Sequence, residues 1–328
     1  MRKNTIYVLA VAIIAIVVVA SVAAYVFTQG QDRSTPASSS FSISLTDDTG
    51  YVLNLTQYPK RVVSLAPANT QVIFAVGAGD LVVGVTDYDH YPYNFSAWVE
   101  AGNMSSIGNY YQPAVEPIVA LNPDLVIASL GSVDAADQLR TLGYNVLTLN
   151  PENLDGIMAN MITVGKATNH EAEARTAVAS MQSRIDAVVN GVKTATTRPR
   201  VYHEIWSDPY MSVGNGTFVD SIIKMAGGQN IFENATDAYP VISAEAIIEQ
   251  NPDIMVFPTQ MGVESFWGNY TTVANRPGWS AINAIKNNKL FTMSGDIIDE
   301  PGPRQVDSLE MLAKIIHPEI FGPYTETQ

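Results

Sequence analysis

Three segments concentrate the groups best suited to holding a small molecule: Thr86-Asp-Tyr-Asp-His-Tyr-Pro92, Ile107-Gly-Asn-Tyr-Tyr-Gln112 and His203-Glu-Ile-Trp-Ser-Asp-Pro-Tyr210. Tyrosine and tryptophan offer broad, flat apolar area with a polar tip, which fits a large amphiphilic guest such as a macrocycle. Each ring taken singly is equally at home packing its own fold; the set reads as the wall of a cleft. A second chemistry is open to His90 and His203 with Asp89 and Glu204, since imidazole and carboxylate ligate zinc or manganese. Such a site needs three or four converging ligands. His203 lies inside a strand-like run and His317, beside Pro318, marks a helix end, so no metal ligand is assigned and bare-metal binding stays the lesser alternative.

Covalent chemistry lacks its signatures. No Gly-x-Gly-x-x-Gly follows a strand pattern, no Gly-Lys-Ser/Thr loop occurs, His170-Glu171 is not continued to His-Glu-x-x-His, and Gly-x-Ser-x-Gly is missing. The chain has 0 cysteines, which removes thiolate nucleophiles, disulfides, thiolate metal sites and a lipidated cysteine together. An exported enzyme on a two-lobed scaffold is therefore the least favoured reading. A net charge of −14 repels a phosphate backbone, so nucleic acid is not an expected partner.

One internal repeat stands out. Glu116-Pro-Ile-Val-Ala-Leu-Asn-Pro-Asp124 and Glu245-Ala-Ile-Ile-Glu-Gln-Asn-Pro-Asp253 share Glu-x-Ile-x-x-x-Asn-Pro-Asp at a spacing of 129 positions, each followed by an apolar run. Two copies indicate a duplicated lobe rather than a solenoid. A helix start favours a negative side chain, which alone accounts for Glu116 and Glu245. Their matching places also suit a two-fold symmetric basic partner.

The elements that must position these groups follow from the hydrophobic pattern. Apolar runs over 61–65, 81–85, 124–128 and 145–149, without strict alternation, predict parallel strands covered on both faces. Helical segments between them, including 70–76 and 133–142, end at Gly77 and Gly143, where a C-cap favours glycine. Residues 41–55 read as a hairpin turning at Asp47-Asp48-Thr49-Gly50. Runs at 200–206, 253–257 and 289–293 repeat the theme. Between the halves, Ala174, Val178, Met181, Ile185, Val188 and Val192 recur at helical spacing, and Thr168 with Glu171 reads as a capping box. The expectation is an α/β chain of two Rossmann-like lobes with parallel-rich sheets, spanning 41–167 and 195–328. A single rigid helix within 168–194 joins them and permits only a small opening motion. The 328 residues, 47% of them apolar, suffice for both cores.

The first 29 residues carry Arg2 and Lys3 and then 22 residues, Ile6 to Phe27, interrupted only by Tyr7, Ser21 and Tyr25. As a helix this run is about 33 Å long, matching a hydrocarbon core of about 30 Å. It reads as a transmembrane anchor with the body outside, a cleaved signal peptide being the alternative; residues 30–40 form a polar tether. Sequons at Asn54, Asn94, Asn103, Asn215, Asn234 and Asn269 fit an external glycoprotein.

The residues Arg61-Val-Val-Ser-Leu-Ala-Pro-Ala-Asn-Thr70, Gly77 to Tyr88, Gly214 to Phe218, Ala226 to Phe232 and Pro301-Gly-Pro-Arg304, with both repeat segments, carry a family resemblance. The chain resembles the class III substrate-binding proteins of ABC importers for cobalamin, ferric siderophores and haem over about 41–321. That resemblance implies a monomeric receptor on the outer face of the cytoplasmic membrane, with no cofactor of its own. Its transported ligand would be a corrinoid or a ferric chelate. The resemblance further implies that Tyr88, Tyr110 or Tyr111, Trp206 and Tyr210 line the cleft with Arg304. His90 is counted with them, and Val85 to Pro92 looks most like the cobalamin members, in which a tyrosine at the position of Tyr88 meets the corrin. Glu116 and Glu245 would be the docking acids that engage arginines of a permease dimer and, through it, the ATPase.

Overall fold

The computed structural model describes residues 41–259 and 270–325. The expected anchor, the tether and the Asn269 sequon lie outside the described residues. Among the described residues no helix is long and apolar enough to cross a membrane.

Strands β1 (Ile43–Thr46) and β2 (Val52–Leu55) form the predicted hairpin, with Leu45 opposite Leu53. Its turn is held by Asp47, whose carboxylate accepts from the Thr49 and Tyr51 amides at 2.9 and 3.0 Å. The first lobe continues through β3 (Val62–Ser64), α1 (Pro67–Ala75), β4 (Val82–Val85), α2 (Phe95–Glu100) and β5 (Ser105–Ser106). It is completed by α3 (Val115–Ala120), β6 (Leu125–Ser129), α4 (Val133–Thr141) and β7 (Val146–Leu149). The sheet is parallel in the order β5-β4-β3-β6-β7, so the strand order reverses between β3 and β6. Such a reversal opens a crevice at the carboxyl ends of the strands.

Helices α5 (Leu154–Thr168) and α6 (Glu171–Val192) lead to the second lobe. The predicted capping box is corrected here. Thr168 is the last residue of α5, its hydroxyl donating back to the Val164 carbonyl at 2.8 Å, and α6 starts after His170 without a side-chain cap. The chain reverses through Asn169, whose φ of 64° is left-handed. The two helices then pack so closely that a Cβ at Gly165 would stand 2.5 Å from that of Ala174.

The second lobe comprises β8 (Arg200–Ser207), β9 (Tyr210–Ser212), α7 (Phe218–Met225), β10 (Gln229–Asn230), α8 (Ala244–Gln250) and β11 (Ile254–Thr259). After these come α9 (Tyr270–Ala274), α10 (Asn283–Lys286), β12 (Leu290–Ser294), α11 (Gly295–Ile298), α12 (Gln305–Ile316) and α13 (Pro318–Phe321). Its parallel order is β10-β8-β11-β12, with β9 added antiparallel to β8.

The long helix α6 ties the lobes into one body. Ala174, Met181, Ile185 and Val188 are buried in a hydrophobic cluster that runs from Leu125 and Leu147 of the first lobe to Val201 and Leu309 of the second. Arg184 adds bonds of 2.6 Å to both Asp307 and Glu310 of α12, and the Glu310 carboxylate beside it holds its guanidinium firmly protonated. A strut packed into both cores resists wide hinge motion, because close-packed interfaces shift in small steps.

Candidate functional site

The lobes meet at the carboxyl ends of their strands. From the first lobe come the start of α1, which follows β3, and the loop after β4; from the second comes the 300–304 turn beyond β12. Gln71 of α1 donates from Nε2 to Glu300 Oε2 at 2.6 Å across the seam. Gly302 lies against α1 so closely that a Cβ there would be 2.8 Å from Gln71 Oε1 and 3.5 Å from Ala68 Cα. Arg304 places its guanidinium carbon 4.2 Å from the centre of the Tyr91 ring, within cation–π range.

The loop after β4 is shaped by Asp89. Its Oδ2 accepts from the Thr86 amide at 2.8 Å and the Thr86 hydroxyl at 2.5 Å, and the Tyr88 amide donates to that hydroxyl at 3.2 Å. The acid is thus turned inward, while Tyr88 and His90 are left exposed. The Asp87 amide donates to the Gly108 carbonyl at 2.9 Å and ties this loop to the next. Tyr88 and Tyr110 consequently meet edge to face with centroids 5.2 Å apart, and Tyr111 is 59% exposed beside them. Lobe one therefore presents a preformed aromatic wall.

In the second lobe Trp206 stands exposed at the end of β8, its Nε1 donating to the Asp208 carbonyl at 2.9 Å. Tyr210 is placed differently. Its half-buried ring packs 5.6 Å from the buried Trp279 and 5.1 Å from the Arg276 guanidinium. Arg276 makes a two-pronged bond to Glu204 at 2.6 and 2.9 Å, and Tyr202 donates to the same carboxylate at 3.0 Å. Tyr210 belongs to this internal network, so Trp206 stands without it in the exposed set.

His203 is fully buried on β8, with Nε2 3.0 Å from Asp299 Oδ1. His90 is exposed on the other lobe, and among the described residues no three His, Asp or Glu side chains converge as a metal would require.

Several residues at or near the seam went unrecognised in the sequence, Gln71, Tyr239, Asp296, Asp299 and Glu300, and Asp89 stands there only as a metal-ligand candidate beside His90. Burial, joined by the charges of Asp296 and Asp89, pushes the Glu300 carboxyl up to about 8, with Arg304 and the Gln71 bond opposing. Burial also raises Asp89. Burial and then the Asp299 charge raise Tyr239, which is 57% exposed. The signal available was the acidic run Asp296 to Glu300 directly before Pro301-Gly-Pro-Arg304.

The repeat has a structural role in both lobes. Ile118 and Ile247 are fully buried, and Asn122 and Asn251 end their helices at φ 45° and 44°. Asp124 and Asp253 then fasten the start of the next strand: Asp124 accepts from the Arg61 amide, and Asp253 from the Arg200 amide, each at 3.0 Å. Because those aspartates sit at the amino ends of the strands, α3 and α8 run back from the carboxyl ends. Glu116 and Glu245, in their first turns, are therefore both exposed at the seam end of their lobes. Bonding to its own backbone amide and to Ser243 keeps the Glu245 carboxyl below its ordinary range.

Comparison with known proteins agrees with this architecture. A family model described as periplasmic binding protein matches residues 62–297. The chain is 31% identical over 289 residues to the ABC transporter substrate-binding lipoprotein YvrC of Bacillus subtilis, covering 86% of this chain and 87% of that one. It is also 31% identical over 287 residues to the cobalamin-binding protein of Halobacterium salinarum, covering 85% of this chain and 75% of that one. The crystal structure of the periplasmic vitamin B12 binding protein BtuF of Vibrio cholerae shares the fold with a TM-score of 0.66 at 23% identity, over 79% of this chain and 96% of that one. The periplasmic haem-binding protein RhuT of Roseiflexus superposes with a TM-score of 0.69 at 25% identity, over 79% and 98%. The chain belongs to the periplasmic binding protein family: it is an extracytoplasmic substrate-binding protein of an ABC transporter and not an enzyme.

Proposed function

We propose that this protein captures a corrinoid, cobalamin or a close relative, between its lobes and delivers it to an ABC permease dimer with its ATPase. The observation that carries this reading is the edge-to-face pair of Tyr88 and Tyr110, with Tyr111, at the carboxyl ends of the first sheet and beside the seam. A flat aromatic wall held by backbone bonds supplies large contact area to a macrocycle at little ordering cost. Trp206 contributes from the other lobe. The likeness to proteins named as cobalamin-binding and vitamin B12-binding supports the same guest. Titration of the full-length protein with cyanocobalamin, a ferric hydroxamate and haemin tests it. Saturable binding of the first at the lowest concentration is expected, and binding of none removes the reading. A ferric siderophore or haem is the second reading, the latter favoured by the likeness to the haem-binding structure.

Glu116 and Glu245 act in this scheme as docking acids, one from each lobe, for basic side chains of the permease. The monomer is held at the membrane by its apolar first 29 residues, and its exposed sequons carry glycans where the host provides the machinery.

A further inference from the structure

Four of the five most exposed large apolar side chains among the described residues stand at the seam end of their lobes: Val241, Tyr111, Tyr239 and Leu130 are 65%, 59%, 57% and 55% exposed. The fifth, Leu142, closes α4 at the opposite end of the first sheet. Leu130 follows β6 directly and so leaves the sheet at its carboxyl end. Its turn is fixed by Ser132, whose hydroxyl accepts from the Ser129 amide at 2.9 Å and donates to the Ser129 carbonyl at 3.0 Å. Tyr111 adjoins it: the Gln112 amide donates to the Gly131 carbonyl at 2.9 Å, and a Cβ at Gly131 would stand 3.6 Å from the Tyr111 ring. In the second lobe Val241 lies opposite Met211 of β9, and the Ile242 amide donates to the Tyr210 carbonyl at 2.8 Å. Ile242 packs inward while Val241 faces out. Two residues on, the Ser243 hydroxyl opens α8 by accepting from the Ala246 amide at 3.2 Å. Tyr111 precedes Glu116 by five positions and Val241 precedes Glu245 by four, so each matched acid follows a backbone-anchored apolar side chain.

Soluble proteins rarely gather exposed apolar area at one place unless something covers it in use. Membership in a substrate-binding family of ABC transporters supplies a partner to cover this end, a permease. We propose that Leu130 with Tyr111, and Tyr239 with Val241, anchor the permease contact, so that each lobe offers an acid for steering and an apolar pair for holding. The inference rests on Glu116 and Glu245 being the docking acids. The partner it fits is two-fold symmetric and presents, at each of two places, a basic side chain bordering an apolar surface. The two kinds of contact act differently. Rim charges speed encounter and are screened by salt, whereas buried apolar area slows release and is not screened.

The test measures capture of the full-length protein by the cognate permease–ATPase complex in lipid nanodiscs, with guest affinity read separately by cyanocobalamin titration. In a Leu130→Ser/Val241→Ser variant the complex dissociates at least about thirtyfold faster, while its association rate and salt dependence stay within about threefold of the parent. In Glu116→Gln/Glu245→Gln the reverse holds: association slows about tenfold or more and loses its salt dependence. The parent complex still forms at about 1 M salt, where the screening length is about 3 Å. Leu130 and Val241 are both exposed, so the unfolding midpoint and cyanocobalamin affinity of the first variant stay near the parent values. An unchanged dissociation rate in that variant, loss of its cyanocobalamin affinity, or complete release of the parent complex at high salt overturns the inference and leaves the docking acids standing. Docking untouched by either variant overturns both.

Discussion

Replacing Glu300 with glutamine changes how firmly the lobes hold together, and the change depends on pH. The wild-type carboxyl is raised from 4.5 to about 8 by burial and by its acidic neighbours, so its charged form is the disfavoured one in the closed seam. Its contribution is fully present below pH 4.5 and is lost as pH rises through about 8. At about 1.4 kcal/mol for each tenfold change in proton affinity, the ionised seam is disfavoured by up to about 5 kcal/mol. Opening the lobes lets water reach the carboxylate, which caps the loss at the cost of opening. Glutamine keeps the neutral shape at every pH. The variant therefore matches the parent at pH 5 and exceeds it at pH 9, in resistance to urea and in lobe closure. The chain has 0 cysteines, so one introduced in each lobe takes a dye cleanly and reports the interlobe distance by energy transfer. Parent and variant curves that run parallel from pH 5 to 9 would refute the reasoning.

Charge reversal of Glu116 and Glu245 together leaves guest affinity within about twofold and abolishes uptake by the assembled transporter, because rim charges steer association without touching the guest; an equal loss of affinity contradicts the assignment. Glu204→Ala strands Arg276, whose side chain is 11% exposed, and costs about 3–5 kcal/mol in chemical denaturation; a loss below about 1 kcal/mol means the pair is not buried as described. Gly165→Val forces a Cβ toward Ala174, 2.5 Å away as the helices stand, and lowers stability by about 1–3 kcal/mol; an unchanged midpoint shows that α5 and α6 pack loosely.

Much of the fold was legible because it is carried by runs that a parallel strand cannot disguise. The apolar stretches at 61–65, 81–85, 124–128, 145–149, 200–206, 253–257 and 289–293 all coincide with strands. The strands that escaped are short and polar, Ser105–Ser106 and Gln229–Asn230, or, like β9, antiparallel additions after a turn; two residues carry no periodicity. The capping box failed because Thr168 closes one helix instead of opening the next, and Asn169 was not recognised as the left-handed break. At the site, aromatic segments mark the wall on lobe one, since exposed tyrosines after apolar strands are conspicuous. Tyr210 looked equivalent to Trp206, but the buried Arg276, remote in sequence, draws it inward. The acidic run at 296–300 was in plain view, but its junction with positions 71 and 89 was not, because only folding puts Gln71 beside Glu300.

The most direct measurement is the affinity of a Tyr88→Ala/Tyr110→Ala protein for cyanocobalamin beside that of the parent. Loss of two rings from the aromatic wall weakens binding at least about thirtyfold while the unfolding midpoint stays near that of the parent, because Tyr88 and Tyr110 are 49% and 41% exposed and neither belongs to a buried core. Undiminished affinity in the variant would show that the guest rests elsewhere and contradict the account.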